Sequence, residues 1–410
     1  MINSAFVSNA LAVFSLTALP LAAAPPAPAA PDPNVQTVTA AGTDFGFRLL
    51  QVLATDHTDG PNANVFFSPC SISQALMLTM NGAGGQTQAA MAKTLSLSAL
   101  PQDKINVANA ALLPALMSDP SVQVSVANAL WANAGLAFSP AFEADAKQFY
   151  RAQATTIDFN SPSAAGTING WVRKNTQGRI PQIVTPDDLK YATNILTNAV
   201  YFHGEWQTPF ETVNTIIKPF HLPGGGTKPV PLMQNTSEVA YSETPQFQAA
   251  ALPYGTGRIA MVILLPKPSV SVETLALSLT GETTAHWLAA MPTTDIQLYL
   301  PRFKADMTAS LGDPLSTLGM SLAFKDDADF DRMTSRRTKL SAVLHVATLD
   351  VDEQGTVAAA ATGVAAMAGA MPMAPPPPPP VMRVDRPFIV LIRDTETGSL
   401  LFAGVIRDPQ

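Results

Sequence analysis

Cysteine is nearly absent from this 410-residue chain, and clustered positive charge is absent as well. The single cysteine, Cys70, excludes an internal disulfide framework. Lys and Arg number 24 against 31 Asp and Glu, and they form no basic stripe, which argues against nucleic-acid binding. Cys70 lies in the apolar stretch FFSPCSIS, where it is either a buried small hydrophobe, the commoner case, or a reactive thiol.

Sequence motifs for catalysis and metal binding are also missing. The five histidines form no HExxH pattern, the chain has no CxxC pair, and no GxSxG elbow offers a hydrolase serine. The glycine-rich run Gly82–Gly85 lacks the lysine of a phosphate-binding loop and instead indicates the end of a helix. The sequence therefore predicts no enzyme, no metal site and no cofactor, and an enzyme with an unrecognised site is kept as an alternative.

The N-terminal segment is typical of an export signal followed by a linker. Residues 1–24 are mostly apolar and end in ALPLAAA, and residues 25–40 are rich in Pro and Ala, which predicts a signal segment and a disordered linker. No Lys or Arg precedes the apolar run, and Pro25 disfavours cleavage after Ala24, so a disordered extension is the alternative. We expect a secreted protein, extracellular or periplasmic, without a membrane span.

Helical and strand patterns alternate along the remaining chain without a regular βαβ rhythm, which predicts one large α+β domain over residues 41–410. Helical spacing predicts helices from Thr43 onward and over 71–82, 86–97, 104–117, 140–150, 164–176, 272–288 and 311–318. Apolar or alternating runs predict strands over 64–67, 122–131, 155–159, 194–201, 217–220, 228–233, 239–243, 247–253, 260–265, 295–303, 343–351 and 388–392.

One stretch, from Glu353 to Arg383, differs from everything around it. It carries no charge between Gln354 and Met382, its first half is almost entirely small residues, and its second half contains six consecutive prolines. Two predicted strands flank it. Such a segment between buried strands is either a spacer or a moving part.

Five separate segments resemble the serpin family, in the order the family has them. They are NVFFSPCSISQALMLTMNGAGGQT, INGWVRKNTQGRI, LTNAVYFHGEWQTPF, LHVATLDVDEQGTVAAAATG and VDRPFIVLIRDTETGSLLFAGVIRDP. The resemblance implies a single α+β domain with about nine helices, three β-sheets and an exposed reactive centre loop at about 353–383. It implies a non-enzymatic, monomeric inhibitor of serine proteases, whose cleaved loop inserts as a new strand into the main sheet.

The residues after Glu353 suit such an insertion. Alternate positions are small or apolar, and no proline occurs before Pro372, so every backbone donor could join a ladder. The inward-facing positions of the inserted strand would be Thr356, Ala358, Ala360, Thr362, Val364, Ala366 and Ala368. The alternative is a low-complexity spacer.

The resemblance also implies roles for individual residues. The hinge would comprise Glu353, Gly355, Thr356, Ala358, Ala360 and Thr362, with Glu353 opposite Arg302. Trp206 would pack under the entry point of the inserted strand. Polar residues at mid-sheet, where the strands must part, would be Ser68, Ser71, Asn198 and His345, and we expect them to form a hydrogen-bonded network.

The family count from the hinge glutamate places the scissile bond at Gly369–Ala370. Alternatives are Met367, Ala368 and Met371, the last disfavoured by the proline that follows it. Because these side chains are small or unbranched, we expect an elastase-like or subtilisin-like serine protease as target. A papain-like cysteine protease is an alternative target, and a non-inhibitory serpin acting as bait, carrier or structural protein is an alternative function.

The proline tract departs from the family pattern. Six prolines favour polyproline II, which spans roughly 19 Å at about 3.1 Å per residue. We interpret the tract as a stiff stalk that lifts the cleavage site off the body. A docking site for a module that binds polyproline II is the alternative.

Overall fold

The computed structural model describes residues 32–116, 119, 121–356 and 378–409. The described residues from Asp32 onward belong to one compact α+β unit. They contain ten α-helices: α1 (Pro33–Thr55), α2 (Pro69–Asn81), α3 (Gly85–Thr94), α4 (Gln102–Leu116), α5 (Pro140–Tyr150), α6 (Ala164–Asn175), α7 (Pro186–Leu189), α8 (Val272–Ser278), α9 (Gly281–Ala289) and α10 (Gly312–Leu315). Among these helices none is long and apolar enough to cross a membrane.

Fifteen strands lie in the same part of the chain. They are β1 (Val65–Phe67), β2 (Val122–Asn133), β3 (Gln153–Ile157), β4 (Asn194–Glu205), β5 (Ile216–His221), β6 (Thr227–Glu243), β7 (Phe247–Pro253), β8 (Ile259–Pro266), β9 (Thr293–Pro301), β10 (Phe303–Ser310), β11 (Ala342–Val351), β12 (Gly355–Thr356), β13 (Val381–Arg383), β14 (Phe388–Asp394) and β15 (Leu400–Ile406).

The strands form two hydrogen-bonded sheets. The nine-stranded sheet has the order β1-β15-β14-β8-β7-β6-β9-β13, with β5 paired to β6. The six-stranded sheet has the order β10-β11-β4-β2-β3, with β12 paired to β4. The expected third sheet is not separate, because β6 is continuous over 17 residues and pairs with β5 at one end, with β9 along its middle and with β7 at the other end.

The six-stranded sheet is covered on both faces. Phe202 and Leu196 of β4 are fully buried and belong to the two large apolar clusters on one side. Ile195 and Ala199 point to the other side and pack in a cluster with Ile168 of α6. The central strands of this sheet therefore lie in the interior, as the apolar run NILTNAVY indicates.

The predicted disordered linker over residues 25–40 is wrong from Pro33 onward. α1 begins there, because the Asp32 side chain accepts the backbone N–H of Asn34 and Pro33 occupies the first helical turn. Val38 is already buried. Residues 25–31 and the predicted signal segment 1–24 lie outside the described residues.

Other element predictions also differ from the structure. The strands predicted over 228–233 and 239–243 are one strand, β6. The helix predicted over 272–288 is two helices, because Thr280 caps α9 with its side chain accepting from Thr283 N. The helix α7 and the strands β10, β12 and β13 were not predicted; β10 and β13 lie at the edges of the two sheets.

Candidate functional site

The candidate site is the line of contact between β4 and β11, which we call the seam. The two strands pair in parallel from Ile195 with Ala342 to Tyr201 with Thr348. Beyond Tyr201, β4 no longer pairs with β11, and β12 pairs with β4 instead, in antiparallel fashion. The seam is therefore open at one end, and the chain that leaves β11 has already begun to enter it.

A tight turn, Asp352–Gly355, directs the chain into this opening. The N–H of Asp352 donates to the carbonyl of Gly355 at 2.9 Å, and the side chain of Asp352 accepts from Gln354 N at 2.9 Å. Gly355 has φ +138°, and a Cβ there would lie 2.3 Å from the carbonyl oxygen of Gly204. Only glycine fits this hinge turn.

Glu353 anchors the hinge turn to the body. Its Oε1 accepts Nε of Arg302 at 2.8 Å and also the hydroxyl of Thr215, and its carbonyl accepts Phe210 N at 2.8 Å. Burial acts to raise the pKa of Glu353, but the hydrogen bonds from Arg302 and Thr215 outweigh it and hold the pKa below its usual value. The carboxylate is therefore charged at neutral pH, and the predicted contact with Arg302 is confirmed.

Trp206 lies directly beneath the hinge turn, as predicted. Its Nε1 donates to the carbonyl of Asp352 at 3.0 Å, and its backbone N–H donates to the carbonyl of Gln354 at 2.9 Å. The ring is buried and stacks on Tyr254, with centroids 4.4 Å apart. The turn therefore rests on a rigid aromatic base.

The predicted network at mid-sheet is also present, and we call it the central cluster. His345 Nε2 accepts Ser68 N at 3.3 Å, so its proton is on Nδ1, which donates to Asn198 Oδ1 at 2.5 Å. Asn198 Nδ2 donates to Ser71 Oγ and to Asn128 Oδ1. Burial lowers the pKa of His345 to about 3, so the imidazole is neutral.

The central cluster crosses the seam. Asn198 belongs to β4 and His345 to β11, and the two residues are direct partners in the parallel pairing. A strand entering between β4 and β11 would break the contact between their side chains. Separation of the sheet at this point therefore requires exchange of buried hydrogen bonds.

Thr215 and Asn128 contribute to the site but were not predicted. Thr215 precedes β5 in a loop without a distinctive pattern, and its contact with Glu353 spans 138 positions. Asn128 faces Asn198 across the pairing of β2 with β4. A polar residue in the apolar run VSVANALW was the available signal for Asn128.

Several predicted site residues lie outside the described residues. These are the candidate scissile residues Met367, Ala368, Gly369, Ala370 and Met371 and the hinge residues Ala358, Ala360 and Thr362. The backbone of Thr356 is described and pairs with Gly204.

Cys70 is half-buried, and burial raises the pKa of its thiol to about 11. A thiol with this pKa is almost entirely protonated at neutral pH, which favours the structural interpretation over the reactive one. Among the described residues, no group of three or more His, Cys, Asp or Glu is arranged to hold a metal ion.

Comparison with known proteins gives one consistent result. A family model described as "Serpin (serine protease inhibitor)" matches residues 40–409. Iripin-2 of Ixodes ricinus is 35% identical over 90% of this chain and 93% of its own length. Leukocyte elastase inhibitor A of Mus musculus is 31% identical over 92% of this chain and 100% of its own length. The crystal structure of human thyroxine-binding globulin superposes with a TM-score of 0.82 at 26% identity, over 92% of this chain and 100% of that one.

Proposed function

The chain belongs to the serpin family, and on that premise we propose that it inhibits serine endopeptidases by covalent trapping. The protease serine attacks the carbonyl carbon of Gly369, the bond to Ala370 N breaks, and the released amine takes up a proton. An ester then joins Gly369 to the protease. Insertion of the cleaved loop into the seam distorts the protease before water can hydrolyse that ester.

The pairing of β12 with β4 carries this proposal. Gly355 lies opposite Glu205 and Thr356 opposite Gly204, so the chain enters the seam in a defined antiparallel register. If that register continued, residue 366 would lie opposite Asn194, the first residue of β4. A bond cut at Gly369 would therefore free enough chain to fill the whole length of the strand.

The side chains that would enter are compatible with the interior they would meet. In the continued register, Ala358 would face Phe202, Ala360 would face Val200, and Thr362 would face Asn198. Phe202 and Val200 are fully buried, so small side chains opposite them avoid overpacking. The stretch introduces no charge into the core.

Hydrogen bonds alone would not drive insertion. Each new ladder bond contributes about 1 kcal/mol net, whereas ordering each residue costs roughly 1–2 kcal/mol. Apolar burial and release of strain in the uncleaved form must supply the rest. We therefore propose that the uncleaved protein is metastable.

An elastase-like or subtilisin-like protease is the proposed target class. Gly369 and the alternatives Met367, Ala368, Ala370 and Met371 carry no charge and suit a shallow apolar pocket. The relative named leukocyte elastase inhibitor A is in keeping with this choice. A papain-like cysteine protease is the secondary candidate. We further propose that the protein is a monomer. We also propose that it is exported, in keeping with the apolar segment 1–24.

Denaturing gels after incubation with pancreatic elastase or subtilisin test the proposal. We expect a band that survives boiling, with the combined mass of protease and inhibitor fragment. Clean cleavage of the loop without such a band, with every protease tried, would contradict inhibition and favour a bait or carrier role. The thyroxine-binding globulin neighbour makes a carrier the specific alternative.

A pair of variants sharpens the test. Thr362→Arg would force a charge against Asn198 in the continued register, so the loop should be cut without forming the stable complex. Ala374→Arg adds the same charge beyond the cut and should leave complex formation intact. Equal behaviour of the two variants would contradict insertion along the seam.

A further inference from the structure

A second polar cluster closes the seam at the end opposite the hinge turn. It consists of Thr193 and Asn194, where β4 begins, and of Thr338, Lys339 and Ser341, in the segment that leads into β11. We call these five residues the far cluster. None of them belongs to the central cluster or to the hinge turn.

The hydrogen bonds of the far cluster run across the seam. Nδ2 of Asn194 donates to Thr338 Oγ1 at 2.9 Å and to the carbonyl of Lys339 at 2.7 Å. Thr193 N donates to Ser341 Oγ at 2.9 Å, and Ser341 N donates to the carbonyl of Asn194 at 3.3 Å. Asn194 is fully buried and Thr338 nearly so. Backbone and side-chain groups thus hold this end of the seam closed.

These bonds are incompatible with a strand inserted along the full seam. Neighbouring strands lie about 4.8 Å apart, so an intervening strand would separate β4 from β11 by roughly 9.6 Å. In the continued register of β12, only residues near 366 reach Asn194. The far cluster would therefore open last, after the central cluster has separated.

Asn194 also has an unused acceptor. Its Oδ1 is buried and has no hydrogen-bond partner within the described part of the chain. A buried acceptor without a partner destabilises the state that contains it. A strand arriving at Asn194 brings backbone N–H groups that could satisfy this oxygen, so the same residue could serve the closed and the filled seam.

We propose that the far cluster is the final barrier to strand insertion and decides whether the inserted strand reaches the full length of β4. This inference rests on the proposed inhibitory function. Asn194 is a positioning residue in it, and Thr338 and Ser341 hold Asn194 and Thr193 until the strand arrives. Weakening the far cluster should speed the completion of insertion without affecting its start.

Uptake of synthetic peptides by the uncleaved full chain tests this order of events. The peptide VAAAATGVAA, residues 357–366, begins beyond the positions that Gly355 and Thr356 already occupy and would reach Asn194, whereas VAAAA, residues 357–361, would end opposite Ala199. The variant Thr338→Val with Ser341→Ala removes the hydroxyl partners of the far cluster. Thr176→Val is the matched control, because it removes a buried hydroxyl that bonds Val172 and Ile180 away from the seam.

We expect the double variant to take up the longer peptide on the order of tenfold faster, since four hydrogen bonds across the seam are lost, two of them shared with Thr193 Oγ1. Uptake of the shorter peptide should be unchanged, and the control should match the parent with both. Equal acceleration for both peptides, or none for the longer one, would overturn the role of the far cluster. If no variant takes up either peptide although all of them inhibit elastase, the proposed role of the far cluster is wrong and the proposed function stands. If inhibition is lost as well, the proposed function is wrong.

Should the double variant fold poorly, Ser341→Ala alone provides the second measurement. Ser341 is half-buried and lies before β11, so its truncation is mild. The expected acceleration for the longer peptide is then about threefold, since the two hydrogen bonds that join Ser341 Oγ to Thr193 are lost. An unchanged rate would count against the inference.

Discussion

Glu353 combines burial with charge, and both matter at the scale of a single residue. Its side chain is 6% exposed, whereas its partner Arg302 is 40% exposed. The carboxylate therefore depends on its hydrogen bonds, while the guanidinium can be solvated if the pair breaks. The asymmetry makes Glu353 the more sensitive of the two positions.

Substitution of Glu353 by Gln should loosen the hinge turn. The amide keeps the shape but loses the charge paired with Arg302, and we expect a loss of roughly 1–2 kcal/mol in the free energy of unfolding. Urea unfolding at neutral pH measures it. Lys304→Gln is the control, since its pair with Asp350 is largely solvated and should change stability little.

His345 predicts a dependence of stability on pH. Its pKa is about 3 in the folded protein against about 6.5 when unfolded, so protonation favours unfolding. The neutral histidine contributes fully above pH 6.5, and stability should fall by up to about 1.4 kcal/mol per pH unit as the pH drops from about 6.5 toward 3.

The variant His345→Gln isolates this effect. It removes the titrating group, so the difference in stability between pH 7 and pH 4.5 should shrink by about 2–3 kcal/mol relative to the parent. Urea midpoints at the two pH values provide the measurement. An identical pH dependence in both proteins would mean that other groups cause it.

The resemblance to serpins supplied most of the contacts predicted at the hinge turn and in the central cluster. Arg302, Trp206 and the four predicted members of the central cluster were identified in this way, and the structure brings them to the predicted contacts. Thr215 could not be found, because nothing in the chain around it indicates that its hydroxyl reaches a carboxylate 138 positions away.

At the scale of elements, the hinge turn and β12 depend on one backbone conformation. Gly355 adopts φ +138° while its backbone lies against Gly204. A Cβ at Gly355 would collide with the carbonyl oxygen of Gly204, the Cα of Glu205 and the backbone nitrogen of Trp206. The entry of the chain into the seam therefore requires this glycine.

The variant Gly355→Ala should impair entry into the seam. We expect destabilisation by roughly 1–3 kcal/mol, because the added Cβ collides with the carbonyl of Gly204 in addition to the strain of positive φ, and a shift from protease complex to cleaved, uninhibited protein. The ratio of the two bands on denaturing gels measures the shift. Gly178→Ala is the control, because Gly178 also has positive φ but no atom lies within 4 Å of an added Cβ.

The proline tract can be tested as an element in its own right. Pro378 to Pro380 are exposed, and the carbonyl of Pro380 accepts Gln297 N at 2.8 Å, so the end of the tract is fixed to the edge of β9. If the tract is a stiff stalk, deletion of three prolines shortens it by about 9 Å and should slow association with elastase. An unchanged association rate would contradict the interpretation of the tract as a stalk.

Some element boundaries can be predicted from the local sequence pattern alone, and others cannot. The predicted bounds of α5 and β7 agree with the structure, because capping and turn residues mark both ends. β10 was not predicted although FKADMTAS alternates apolar and polar residues, because two of the four apolar side chains are alanines; its pairing with β11 defines the strand. Tertiary contacts, which cannot be read from the sequence, determine whether such a segment forms a strand.

At the scale of the whole molecule, the proposed metastability predicts a response to cleavage. Cutting the loop should let it fill the seam, and the gain of several kcal/mol should raise the Tm by at least about 10 °C. Calorimetry of intact and nicked protein makes the comparison. Nicking of Thr362→Arg, which cannot fill the seam, should leave Tm nearly unchanged, and equal values for nicked and intact parent would contradict metastability.

The α+β class and the single large domain were predictable from interleaved helical and strand patterns. The order of the strands was not. β1 pairs with β15, and β4 pairs with β11, across stretches that no local pattern connects. The resemblance to serpins implied a main sheet that accepts a new strand, but neither of these pairings was predicted.

The pairing of β1 with β15 has a consequence for biosynthesis. Val65 lies opposite Val405, some 340 residues later in the chain. At 5–20 residues per second, a ribosome would need roughly 20–70 s to make the intervening polypeptide. During that interval the nascent β1 lacks its neighbour, and its apolar residues Val65, Phe66 and Phe67 are open to chaperones.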